Sequence, residues 1–188
     1  MRITLLFLLL IPLISEAQKN SSLRARSKAI MQRLLDKGDL PSDAQDTLID
    51  LNRDGYKDVL IEFYGRSGTG IKNRIMAFLY DPRSKRFQEC PELSDLANPT
   101  FYFKEKIITG YYIGNGGGYA AKLKWQGRSL LRVEVIDVDI SQPNGVFTCT
   151  LQITNYMGCR KSTRVCDRIC LPEEYRYGQY RAVIRNKE

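Results

Sequence analysis

The chain has 188 residues, with 29 Lys and Arg against 21 Asp and Glu for a net charge of +8, five cysteines and no histidine. Without an imidazole there is no Ser-His-Asp or Cys-His centre, no His-ligated zinc or haem, and no imidazole switch near neutral pH. The length suits one domain able to bury a real core, and 11 tyrosines with 7 phenylalanines lean it towards β-structure.

Met1 and Arg2 precede an apolar run from Ile3 to Ile14, and Ser15-Glu16-Ala17 fits a small-x-small cleavage site before Gln18. A run of about a dozen residues is too short to span a bilayer and is expected to be a signal peptide, residues 1–17. Its removal takes one base, Arg2, and one acid, Glu16, so the charge stays at +8. The expected destination is the periplasm or the extracellular space, with no membrane span and no nucleic-acid partner.

Residues 18–40 are expected to form an N-terminal helix and linker. Leu23, Ile30, Leu34 and Leu35 fall at helical spacing over 22–37, Asn20-Ser21-Ser22 can cap the start and Gly38 the end. The opposite face carries Arg24, Arg26, Lys28, Arg33 and Lys37. Such a face could meet anionic lipid or nucleic acid, but an ordinary solvated face is the favoured reading.

From Pro41 the texture changes to short β-like runs at 46–50, 58–64, 73–80, 86–90, 101–103, 106–113, 119–125, 129–138, 146–153 and 179–185. Turn residues separate them, among them Asp81-Pro82-Arg83-Ser84, Gly114 to Gly118, and Pro143-Asn144-Gly145. The predicted fold is mainly β: an antiparallel hairpin meander, propeller-like or sandwich, with one N-terminal amphipathic helix. Residues 41–188 form the single β domain, and 144–172 form a cysteine-rich elaboration of it.

Cys149, Cys159, Cys166 and Cys170 lie within 22 residues, and in an oxidising compartment they read as disulfides stapling that elaboration. Their spacings of nine, six and three intervening residues lack the Cys-x-x-Cys knuckles of a zinc site. A nested pairing, Cys149 with Cys170 and Cys159 with Cys166, is one of three combinations. Cys90 is left over and reads as a small buried apolar residue.

The stretch with specific chemistry is Asp50-Leu51-Asn52-Arg53-Asp54-Gly55-Tyr56-Lys57-Asp58, followed by Val59-Leu60-Ile61. Side-chain oxygens fall at positions 1, 3, 5 and 9, glycine at 6, and the Tyr56 carbonyl at 7. Alternate residues of a tightly curled loop aim their oxygens at one centre, and this many hard donors suits Ca²⁺. The loop is no EF-hand, since Ile61 stands where the bidentate glutamate would be. A polar turn, in which Asp and Asn satisfy backbone amides, is the competing account of the same residues.

The string Asp-x-Asn-x-Asp-Gly-x-x-Asp entering an apolar strand resembles the calcium loop of VCBS/FG-GAP repeats, found in propeller-like extracellular proteins. The residues beyond the loop resemble a narrower group of small bacterial secreted proteins with one such loop. They are Tyr80 to Phe87, Leu93 to Phe101 with its Asn98-Pro99-Thr100-Phe101, Gly116-Gly117-Gly118-Tyr119, and Trp125 to Leu130. The resemblance spans about residues 46–136. It implies Asp50, Asn52, Asp54, Tyr56 and Asp58 as calcium ligands. Some members of the group are periplasmic immunity proteins, which bind and block a peptidoglycan hydrolase, so a protein partner of that kind is implied.

Tyr119, with Gly116, Gly117, Gly118 and Tyr112 beside it, is the candidate partner-binding loop. Alternatively the glycines only shape a hairpin and Tyr119 packs inside. Aromatic side chains also stack on sugars, so a cell-wall glycan or wall-polymer module is the alternative function. A carboxylate-based glycosidase using Glu62, Glu134, Asp137 or Asp139 is a third reading, disfavoured because alternating charges on strands normally mark a solvated face.

Overall fold

The computed structural model describes the backbone of residues 4–66, 71–175 and 183–185, and the side chains of 21–65 and 72–175. Its first element is a single helix, α1 (Thr4–Lys37). Five strands and a short helix follow: β1 (Gln45–Ile49), β2 (Asp58–Arg66), β3 (Ile71–Asp81), β4 (Arg86–Glu89), α2 (Pro91–Ser94) and β5 (Thr100–Tyr102). The remainder is β6 (Ile107–Gly114), β7 (Gly117–Gln126), β8 (Ser129–Ser141), β9 (Thr148–Asn155), β10 (Arg160–Cys166) and β11 (Val183–Arg185).

The mainly-β expectation holds, and of its two forms the sandwich is the nearer. The strands make two sheets, a four-stranded one in the order β1-β2-β3-β4 and a seven-stranded one in the order β10-β9-β8-β7-β6-β5-β11. All neighbours are antiparallel except β11, which lies parallel to β5. Consecutive strands pair through short turns, as hairpin-connected sequences do.

The period-2 alternation of the strands then assigns the layers. Leu60 on β2 and Ile75, Ala77 and Leu79 on β3 share a core with Ile108, Ala121, Leu123 and Trp125 of the larger sheet. The intervening residues Val59, Ile61 and Phe78 point the other way and meet Leu34 of α1. The far face of the larger sheet is closed by the chain after β10. Leu171 and the wholly buried Tyr175 cover Ala120, Ile136, Val138 and Leu151. The order is therefore helix, small sheet, large sheet, C-terminal segment.

Three expectations need correction. No cap interrupts the helix at Asn20-Ser21-Ser22. From Leu13 to Lys37 the sequence contains neither glycine nor proline, so nothing breaks the hydrogen-bond ladder there, and α1 runs on to Gly38, whose φ of 76° ends it. The second correction is β10, absent from the expected strands. Its residues are exposed from Arg160 to Val165, so they carry no apolar alternation to announce a strand. The expected run at 179–185 lies outside the described residues up to 182, and its end is β11.

The nested disulfide pairing is the third correction. The bridge is Cys166–Cys170, while Cys90, Cys149 and Cys159 are free thiols. Cys159 and Cys166 sit seven residues apart along what becomes an extended strand, a separation of about 23 Å at ~3.3 Å per residue, so they cannot bond to each other. The same strand register sets Cys166 opposite Cys149.

Candidate metal site

The loop 50–58 joins β1 to β2 at one end of the small sheet. Its curl is local: Arg53 at φ 58° and Gly55 at φ 91° are left-handed positions, and the glycine occupies its own at no steric cost. The side chains then satisfy the backbone they encircle. The Asp54 N–H donates to Asp50 Oδ1 at 3.0 Å and to Asn52 Oδ1 at 3.1 Å. Asp50 Oδ2 accepts from the Gly55 N–H at 2.9 Å, and Asp54 Oδ1 accepts from that of Tyr56 at 3.0 Å.

Asp58 anchors the loop to the sheet. Its carboxylate is buried and bridges two segments, accepting from Leu51 N–H at 2.8 Å and from Tyr80 N–H at 2.9 Å. Burial pushes this carboxyl up to about 7, with the nearby Asp54 and Asp50 carboxylates adding to the rise, while the two amides oppose it.

Asp54 has a cationic neighbour. Arg128, from the turn between β7 and β8, places Nη1 3.1 Å from Asp54 Oδ2 and donates at 2.7 Å to the Tyr80 carbonyl. Asn52 Nδ2 shares the same Asp54 oxygen at 3.1 Å. The hard oxygen donors fit calcium in kind. Their present grouping is that of an amide-capped turn: among the described residues no three acidic or sulfur side chains are gathered closely enough to hold a metal ion. The Arg128 guanidinium holds one of the two Asp54 carboxylate oxygens.

The glycine loop is tighter than its sequence suggests. β6 ends at Gly114 and β7 begins at Gly117, leaving a two-residue turn of Asn115 and Gly116. A β-carbon on Gly117 would stand 2.1 Å from the Val138 carbonyl oxygen, and one on Gly118 1.9 Å from that of Tyr112. Tyr119 turns inward: its hydroxyl donates to the Asp95 carbonyl at 2.8 Å and accepts the Ala97 N–H at 3.0 Å, fastening the chain after α2. Tyr112 lies opposite it in register, with Lys72 Nζ 3.3 Å from its ring centre.

The four carboxylates weighed for catalysis do not share one face. Glu62 is on the small sheet. On β8, Glu134 faces the C-terminal segment, where Tyr175 donates its hydroxyl to it, while Asp137 and Asp139 point to the opposite side. Compared with family models, curated proteins and solved structures, the chain gives no match.

Proposed function

We propose that the chain is a calcium-binding β protein of an oxidising compartment that acts by binding another protein, in the manner of an immunity protein that blocks a peptidoglycan hydrolase. The calcium part is supported by one observation, the 50–58 loop, whose sequence sets Asp50, Asn52 and Asp54 at alternate positions and Asp58 at its end, at the root of a hairpin. The partner class comes from the resemblance of residues 46–136 to small secreted bacterial proteins with one such loop.

Calcium here is structural. Asp50, Asn52, Asp54, Asp58 and the Tyr56 carbonyl are the groups that would hold the ion, which would supply positive charge to offset the loop's carboxylates. The protein's own residues do the rest: Asp58 ties the loop to β3 through Tyr80, and Gly55 sets the turn. The Cys166–Cys170 bridge fits an oxidising space.

The test is retention of a partner by immobilised protein from periplasmic and secreted fractions, with calcium and with chelator. Isolation of a peptidoglycan hydrolase, slowed at one-to-one stoichiometry by the purified protein, is the expected result. A protein that retains no partner under either condition would sink the binding reading. An unchanged melting curve with calcium and with chelator would remove the metal.

A further inference from the structure

A groove lies on the opposite side of the small sheet from its shared core, where α1 crosses the β3–β4 hairpin. Its volume is about 680 Å³. Its floor is apolar: Ile30 from α1, with Phe78 and Phe87 from the hairpin, all belonging to the cluster that binds the helix to the sheet. Its walls are cationic, Arg26 and Arg33 from the helix facing Lys85 and Arg86 from the hairpin. Glu89 is the one acid on the lining.

These positive charges are not neutralised within the described part of the chain. The ion pairs Lys122–Glu174 and Arg128–Asp54 lie elsewhere and leave these cations untouched. Arg26 instead donates to the Lys85 carbonyl at 2.6 Å, which ties the helix wall to the hairpin wall and holds the groove at a set width. Four exposed cations against one acid, ringing the half-buried Ile30 and Phe87, give the groove a positive field that attracts an anionic ligand.

We propose that this groove seats an acidic peptide segment of the protein's partner, one carrying a large apolar side chain between its carboxylates. A flat anionic bilayer satisfies the rim but sets no side chain into the recess beside Ile30 and Phe87. A phosphate polymer reaches in but sets no apolar group against Ile30 and Phe87. An acidic peptide with a Leu or Phe meets both walls and floor, the carboxylates on the arginine forks and the apolar side chain on the rings. The inference rests on the protein-binding reading and adds to it where the partner docks and with what chemistry.

The experiment has two arms. In the first, fluorescence anisotropy follows a labelled panel of seven-residue peptides alternating Glu or Asp with Leu or Phe. Matched panels replace the apolar residues by Ser or the acids by Lys. The acidic apolar panel should bind saturably and weaken with salt. It should lose about tenfold or more in affinity to R26E/R33E, whose melting temperature checks its fold. The Lys-bearing panel should bind that variant better than the parent. Absence of binding, equal binding of the Ser-substituted panel, preference for anionic vesicles or polyphosphate, or an unaffected variant would each overturn the groove.

The second arm repeats the partner pull-down with R26E/R33E. Loss of a partner that the parent protein retains supports the proposal. A partner retained equally by both proteins overturns the groove and leaves the protein-binding reading standing. No partner on either removes that reading, and the peptide panel then decides the groove alone.

Discussion

Arg128 and the proposed calcium ion would be rival partners for Asp54, and that sets the expected behaviour of the loop. The pair is partly exposed, so it contributes no more than about 1 kcal/mol, and R128Q costs little stability in chelator. In calcium the substitution should help, because Asp54 is released to the metal; titration calorimetry should record tighter binding. Asp54→Ala should abolish the calcium-dependent rise in melting temperature, and in chelator it should still cost about 0.5–2 kcal/mol for the lost contact with the Tyr56 amide. The pattern of this loop was legible in the sequence because its geometry is local, a curl closed by side chains on the amides of near neighbours. The long reaches, Asp58 to Tyr80 and Arg128 to Asp54, are contacts that no spacing rule could supply.

Two buried acids give a pH dependence at the same scale. Burial, with Glu92 beside it, pushes the Cys90 thiol up to about 12, and burial with the Glu134 contact pushes Tyr175 upward as well. Between the ordinary thiol range near 9 and the folded value, the unfolded chain releases a proton that the folded chain keeps. Stability therefore falls as pH rises through that window. Thermal melts above about pH 9 should decline more gently for C90A than for the parent. Parallel declines would exclude Cys90 from the effect. At neutral pH, alkylation of the native protein should mark the exposed Cys159 and spare Cys90 and Cys149 until unfolding.

At the scale of elements, the β6–β7 turn separates two uses of glycine. Gly116 has open space around its missing β-carbon, so Gly116→Ala should change stability by no more than about 0.5 kcal/mol. Gly118 lies against the Tyr112 carbonyl, and Gly118→Ala must push β6 and β7 apart, at a cost of about 2 kcal/mol or more. Denaturant unfolding of the two variants checks the contrast. The turn was visible as a cluster of glycines, but which of them face backbone is a property of the neighbouring strands. The helix offers a similar lesson. Its apolar stripe was readable, yet the wholly buried Ser27, which donates its hydroxyl to Asp46 on β1, looks like any other serine on a polar face. Leu34→Ala, which opens the seam between α1 and the small sheet, should cost about 2–5 kcal/mol.

For the whole molecule, the strand pattern predicted an antiparallel hairpin meander, propeller-like or sandwich. The sequence could not say how many sheets the strands would form, because that depends on which apolar faces find each other across the chain. The small sheet buries both faces, one under α1 and one against the large sheet. The Cys166–Cys170 bridge reinforces a different junction, the corner at which the chain leaves β10 and turns back over the large sheet.

That return has a consequence for how the fold is completed. Tyr111, Ile113, Ile136, Val138 and Leu151 belong to strands that can pair as soon as residue 155 exists, yet their outer face has no cover until Leu171 and Tyr175 arrive. Tyr102 and Thr109 then clasp the Glu174 carbonyl, and Lys122 takes its carboxylate. A chain emerging from its N-terminus can thus build its hairpins early while holding a greasy, unfinished sheet until residues 171–175 are made. Its vulnerable interval for aggregation lies there, between the making of β9 and the closing of the lid.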